Sequence, residues 1–337
     1  MAKIVVLGSG GWGTALAVTA FRNGHEVWLW SKFPQEIEEI KKHGENKKLL
    51  PGVAIPESIC LTSDLSCINA ADLIVMAVPS FAVRQTAGLL KPFLTAGITV
   101  VNVSKGLEEG SLKRLSAVIQ EELPEAKVAV LSGPSHAEEV SRGIPTTVVA
   151  AAAEMPVAEY VQELFASGTF RIYTNSDIAG VELGGALKNV IALCAGVCDG
   201  LGLGDNTKAA LMTRGITEIA RLGEALGARA ETFGGLSGIG DLIVTCTSMH
   251  SRNRRAGILI GQGKTAAQAI QEIGMTVEGY HAAKTAKELA DKTGVEMPIV
   301  EQCYAVLYQD LSAKQAISNL MGRPYKHEME QIWIQNK

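Results

Sequence analysis

The chain has 337 residues, 47% of them hydrophobic and 20% charged, and a formal net charge of -4. That length accommodates two domains with sizeable cores, and the acidic balance argues against nucleic acid as a partner, since binding it takes a cationic surface. Any anionic ligand must therefore be held by local positive groups. No signal or transit peptide is expected ahead of the first strand, and the longest apolar stretch, around 148–153, is too short to span a bilayer. A cytoplasmic protein without membrane insertion is expected.

In chain order, residues 3–7 form a short buried strand that runs into Gly8-Ser9-Gly10-Gly11-Trp12-Gly13, and a helix opens at Thr14. Gly8, Gly10 and Gly13 make a G-x-G-x-x-G between strand and helix, the context that gives the motif meaning. The first glycine allows the tight turn, the second lets backbone approach a pyrophosphate, and the third lets helix and strand pack closely. Residues 25–30 are a second strand. The apolar run 72–78, ended by Pro79, suits a parallel strand covered on both faces. Strands at 99–103 and 127–131 repeat the pattern around a helix at 111–123, and 146–150 and 170–173 close the sheet. This alternation predicts an α/β fold, a Rossmann-type doubly wound parallel sheet.

Near Asn175 the pattern changes. Helical periodicity covers 178–198, 207–226, 256–261, 265–273, 279–292 and 298–307, with glycine-rich loops at 200–204 and 234–240. The division expected is a dinucleotide-binding domain over 1–175 and an all-α substrate-binding and catalytic domain over 176–337. Six cysteines (Cys60, Cys67, Cys194, Cys198, Cys246 and Cys303) form no C-x-x-C, and six scattered histidines form no H-x-x-x-H. Cys194 and Cys198 share a helix face and read as buried thiols. No metal is expected.

A Rossmann-type fold that prefers NAD carries an acid at the end of the second strand, for the ribose hydroxyls. Here the sequence is Trp30-Ser31-Lys32-Phe33. Ser31 can donate to a 2′-phosphate and Lys32 can neutralise it, which leans toward NADPH while leaving NADH open. Lys32 equally fits a solvated loop.

The side chain that stands out is Lys188, within the almost wholly apolar or small stretch 181–193, with Gly184 and Gly185 one turn before it. Burial disfavours an ammonium and suits a proton donor or acceptor, unless the side chain snorkels to the surface. Asn189 is its polar neighbour. Lys105 follows the strand at 99–103. Gly133 and Ser135, in Ser132-Gly133-Pro134-Ser135-His136-Ala137, follow the next strand at the same edge, where such sheets place ligands. Ordinary turn and cap chemistry explains either loop alone. Asp241, beside the apolar run after Gly240, is a charge partner for a buried lysine. The run His250-Ser251-Arg252-Asn253-Arg254-Arg255 fits a doubly charged phosphate, or a basic surface helix end.

Together these stretches resemble the bacterial NAD(P)H-dependent glycerol-3-phosphate dehydrogenases. The likeness runs in order through the glycine turn, Val103-Ser104-Lys105-Gly106-Leu107-Glu108, Ser132-Gly133-Pro134-Ser135 and Gly184-Gly185-Ala186-Leu187-Lys188-Asn189-Val190. It continues through Gly240-Asp241-Leu242, Ser251-Arg252-Asn253-Arg254-Arg255 and Val277-Glu278-Gly279-Tyr280. The resemblance implies an enzyme that interconverts dihydroxyacetone phosphate and sn-glycerol 3-phosphate with NADPH or NADH, supplying glycerol 3-phosphate for phospholipid synthesis. By it, Lys188 is the proton acceptor in the oxidation direction. Lys105, Gly133, Ser135, Asp241, Ser251, Arg252 and Asn253 would hold substrate, with Asp241 and Asn189 steadying Lys188. Gly11, Trp12, Lys32, Lys105, Ala137, Arg252 and Glu278 would touch the dinucleotide, beside Gly8, Gly10 and Gly13. A homodimer is expected. The competing readings are a 3-hydroxyacid or 6-phosphogluconate type dehydrogenase on the same fold, and a dinucleotide sensor without turnover. The sensor leaves Lys188 and the 251–255 cluster without a purpose.

Overall fold

Eight strands, β1 (Lys3–Leu7), β2 (Glu26–Trp30), β3 (Cys60–Thr62), β4 (Leu73–Met76), β5 (Thr99–Asn102), β6 (Lys127–Ser132), β7 (Thr146–Ala152) and β8 (Phe170–Asn175), form one sheet in the computed structural model, which describes residues 1–328. Their order is β3-β2-β1-β4-β5-β6-β7-β8. The strand order reverses between β1 and β4, so their carboxyl ends border the crevice where such sheets take ligands. Successive residues of the central strands enter opposite cores. Ile4, Val6, Leu73 and Val75 pack on one face, and Val5, Leu7, Ile74 and Met76 on the other. Helices α1 (Gly11–Arg22), α2 (Pro34–His43), α3 (Val83–Leu90), α4 (Leu115–Glu122), α5 (Ala137–Val140) and α6 (Met155–Phe165) complete this part.

The sheet departs from the all-parallel expectation at one junction, because β6 pairs antiparallel with β7. A parallel return needs a long crossover, usually with a covering helix. The segment between these strands holds only the single turn α5, so the chain doubles back. β8 then pairs parallel with β7 after the covering helix α6. The short edge strand β3 escaped the sequence pattern; its three residues are all half-buried.

The remaining helices are α7 (Ile178–Gly200), α8 (Asp205–Ala225), α9 (Ala230–Phe233), α10 (Asp241–Thr247), α11 (Arg252–Gly261), α12 (Ala266–Ile273), α13 (Glu278–Thr293), α14 (Pro298–Tyr308) and α15 (Ala313–Met321). Local chemistry sets several ends. Thr265 and Gln268 form a reciprocal capping box at α12, and left-handed Gly274 and Gly294 close α12 and α13. The glycine-rich 234–240 is not simply a loop: Leu236–Gly240 makes a π-helical turn feeding directly into α10. α7, rather than 148–153, is the longest apolar stretch. It is long and apolar enough to cross a membrane, yet 89% of its apolar window is buried, as expected of a core helix.

Two compact units result. One comprises Met1–Lys105 and Lys113–Ile178, the other Gly106–Leu112 and Ala179–Lys337. The short excursion Gly106–Leu112 therefore leaves the 1–175 block in which the sequence put it. Leu107 explains why, being buried in the core of the helical unit. Residues 329–337, the end of the expected second domain, lie outside the described residues.

Candidate functional site

In the first unit the glycine turn is shaped by backbone contact. Gly8 has φ +116°, and a Cβ there would lie 2.6 Å from the Ala77 carbonyl oxygen after β4; one on Gly13 would lie 2.0 Å from the Gly8 oxygen. Both positions exclude a side chain. Gly10 differs: a Cβ there would meet no atom within 4 Å, so its backbone borders open space. Asn46, which the sequence did not single out, fastens the turn by donating from Nδ2 to the Ser9 carbonyl at 2.6 Å. Ala137, at the start of α5, lies 3.8 Å from the Cβ position of Gly11, which brings this pair together. The Trp12 Nε1 is buried without a hydrogen-bond partner. An open backbone edge beside an orphaned donor fits the phosphates and amide of a dinucleotide.

Lys105, Gly133 and Ser135 also converge. The loops that carry them follow the parallel neighbours β5 and β6, and both the Lys105 ammonium and the Ser135 hydroxyl donate to the Gly133 carbonyl at 2.9 Å. The Gly133 carbonyl thus accepts both bonds. Ser104 braces the Lys105 loop by donating to the Val78 carbonyl at 2.5 Å. At the end of β2, the exposed Lys32 donates to Gln85 Oε1 at 3.1 Å. The Ser31 hydroxyl donates to Glu36 at 2.6 Å, a carboxylate the sequence reading overlooked. Exposed rings of Phe33 and Phe81 follow β2 and β4.

In the second unit Lys188 does not snorkel. It is 5% exposed on α7, and its ammonium donates to Asp241 Oδ1 at 2.6 Å and to Thr245 Oγ1 at 2.5 Å. Thr245 in turn donates to the Asp241 carbonyl at 2.6 Å, one turn back on α10. Asp241 is 1% exposed. The π-turn backbone packs on Gly184, where a Cβ would lie 2.6 Å from the Ser237 carbonyl oxygen. The π turn is what delivers Asp241 to Lys188. Thr245 was missed because a threonine in an apolar run has no sequence signal of its own.

Asn189 faces a different partner from the one anticipated. Its Oδ1 accepts from Asn253 Nδ2 at 2.8 Å, while Asn253 Oδ1 accepts from the Gly279 amide at 2.8 Å. The buried Asn253 thereby ties α7 to the starts of α11 and α13, and retains one amide hydrogen for another acceptor. Ser251 is the N-cap of α11, accepting from the Arg254 amide at 3.2 Å. Arg252 and Glu278 are the first residues of α11 and α13. Arg254 is committed elsewhere, its Nε donating to Asp199 at 2.7 Å. Burial raises the Asp199 carboxyl, but Lys208 and Arg254 outweigh it and hold it below its ordinary value. Arg255 keeps a buried Nε with no hydrogen-bond partner. Burial pushes the Cys198 thiol up to about 11 and Cys246 up to about 12, so both stay protonated and inert.

A doubly wound sheet with a glycine turn, followed by a helical unit with a buried lysine–carboxylate pair, is the build of nicotinamide-dependent dehydrogenases. Residues 3–158 match the sequence model of the NAD-dependent glycerol-3-phosphate dehydrogenase N-terminus, and 177–318 match that of its C-terminus. The chain belongs to the NAD-dependent glycerol-3-phosphate dehydrogenase family. It is 58% identical to the glycerol-3-phosphate dehydrogenase [NAD(P)+] of Moorella thermoacetica, over 97% of this chain and 98% of the relative. Identity to the protein of the same name in Desulfitobacterium hafniense is 53%, over 98% and 94%. The solved glycerol-3-phosphate dehydrogenase of Coxiella burnetii superposes with a TM-score of 0.92 at 39% identity, covering 96% of this chain and 99% of that one.

Proposed function

We propose that this chain interconverts dihydroxyacetone phosphate and sn-glycerol 3-phosphate with NADH or NADPH, yielding the backbone on which phospholipids are built. The observation that carries the proposal is the buried Lys188 ammonium on Asp241 and Thr245; family membership supplies the substrate class. When bound, the reduced nicotinamide provides the hydride that adds to the C2 carbonyl carbon. The Lys188 ammonium delivers a proton to the resulting alkoxide oxygen and, in the oxidation direction, the neutral amine accepts it back. Asp241 holds the nitrogen in place and balances its charge. Lys105, braced on Gly133, adds a second cation for the substrate, with the Ser135 hydroxyl beside it. Ser251, Arg252 and Asn253, at the start of α11, take the phosphate through amides, a guanidinium and the remaining Asn253 hydrogen. Anchoring this remote group positions the carbonyl for reaction.

For the dinucleotide, Gly8, Gly10, Gly11, Trp12 and Gly13 form the pyrophosphate turn, with Ala137 against Gly11 and Lys32 at the ribose edge. We assign Arg252 and Glu278 to it as well. The exposed rings of Phe33 and Phe81 suit a flat base. The deciding experiment follows NADPH and NADH fluorescence on adding dihydroxyacetone phosphate. Decay with this ketone, and no gain of fluorescence when NAD(P)+ is mixed with 3-hydroxyacids or 6-phosphogluconate, is expected; coenzyme binding without any turnover would leave a sensor. We assign the enzyme to the cytoplasm as a homodimer, a state that light scattering checks.

A further inference from the structure

We propose that Glu36, on the first turn of α2, is a specificity determinant at the ribose 2′-position: it penalises a 2′-phosphate and, opposed by Lys32, makes the site accept both NADH and NADPH. The proposal rests on the dinucleotide binding at the glycine turn as described above.

The end of β2 and the turn after β1 are fastened together, since the Gly8 amide donates to the Trp30 carbonyl at 2.8 Å. The residues that follow each, Ser9 and Ser31, are both 3% exposed. Their hydroxyls donate to the same atom, Glu36 Oε2, at 2.7 and 2.6 Å. A hydroxyl has one hydrogen. Ser31, whose oxygen also accepts from the Phe33 amide at 3.2 Å, has therefore given to Glu36 the proton a 2′-phosphate would need. Ser9 has done the same.

Glu36 itself is exposed, and its Oε1 has no hydrogen-bond partner among the described residues. That oxygen can accept from a ribose hydroxyl and repels a phosphate. The acid missing from the end of β2 is thus supplied one helical turn later, held in place by two serines. Lys32 acts in the opposite sense. Its one hydrogen-bond partner among the described residues, Gln85, is neutral, so its charge remains available to a phosphate. A carboxylate facing a dianionic phosphate at an exposed site disfavours it by roughly tenfold.

The test compares adenosine 2′,5′-bisphosphate with 5′-AMP, which differ only in the 2′-phosphate, by calorimetric titration of the full chain. The wild type should bind the two within about tenfold of each other. Glu36→Gln keeps an acceptor for both serines while removing the charge. It should bind the bisphosphate about tenfold more tightly and change 5′-AMP by no more than about threefold; Lys32→Ala should shift the ratio the other way. A ratio unmoved within about twofold in Glu36→Gln overturns the role of Glu36, as does a wild type that already prefers the bisphosphate by about a hundredfold or more. If both nucleotides bind and the ratio does not move, the dinucleotide site stands and only this proposal falls. Binding of neither nucleotide overturns both.

Discussion

A buried ammonium is tolerable only with a partner, because moving an isolated charge out of water costs several kcal/mol even after relaxation. Lys188 and Asp241 are 5% and 1% exposed and 2.6 Å apart, so each answers for the other. Lys188→Ala removes the proposed proton donor and should lower kcat by several orders of magnitude while leaving the Kd for NADPH unchanged. It also strands the Asp241 carboxylate, which should destabilise the helical unit by about 3–5 kcal/mol. Adding Asp241→Asn should then recover part of that stability but none of the activity. Urea unfolding and steady-state rates on the single and double variants check both halves, and a near-normal kcat in Lys188→Ala would remove the lysine from the chemistry. Lys188 was legible in the sequence because a charge inside an apolar helix must either snorkel to the surface or find a buried partner. Glu36 was not, since an acid on the first turn of an amphipathic helix has an ordinary place there. Nor was the true partner of Asn189, because the contact to Asn253 spans 64 positions.

Elements were legible where a periodic pattern is long enough. The central strands and α7 are continuous apolar runs, whereas the antiparallel return of β7 depends on how little helix the preceding segment can form. The start of α10 was hidden by its glycines, which the π turn uses for close packing. The crossing of α7 and α11 shows what such glycines do. Gly196 and Gly200 on α7 meet Gly257 and Gly261 on α11, each four residues apart, so the two backbones touch. A Cβ on Gly257 would sit 2.0 Å from the Leu193 carbonyl oxygen, and one on Gly196 would sit 2.0 Å from that of Arg254. Neither neighbour is a side chain that can swing aside, so the helices must separate. Gly257→Ala should destabilise the helical unit by about 2–4 kcal/mol, despite the better helix propensity of alanine. Because α11 carries at its start Arg252 and Asn253, which we propose hold the phosphate, the same variant should raise KM for dihydroxyacetone phosphate. A urea midpoint equal to wild type would show that the crossing has slack.

At the scale of the whole molecule, the dependence of stability on pH divides into two windows set by different carboxylates. Lys113 and Arg84 hold Glu121 below its ordinary value, Lys91 and Arg84 hold Glu122 there, and Lys326 does the same for Glu296. These groups stabilise the fold above the unfolded value of 4.5 and lose that contribution as the pH falls further. Glu218 works the other way. It is buried on α8, and its carboxylate accepts from the Ile299 and Val300 amides at the start of α14. Desolvation outweighs the bonds from those two amides and pushes its carboxyl up to about 7. The folded chain therefore binds more protons than the unfolded chain between pH 4.5 and about 7, and stability must fall as the pH rises through that interval. The full difference is about 3 kcal/mol. Glu218→Gln keeps an acceptor for the α14 amides and has nothing to ionise. The wild type should thus lose about 3 kcal/mol relative to this variant between pH 4.5 and 8, while the acid-side loss below 4.5 stays common to both. Because the chain has two compact units, the measurement belongs on the helical one, through the free energy of hydrogen exchange at the α14 amides. Parallel pH profiles for the two proteins would mean that the helix amides, not desolvation, decide the state of Glu218.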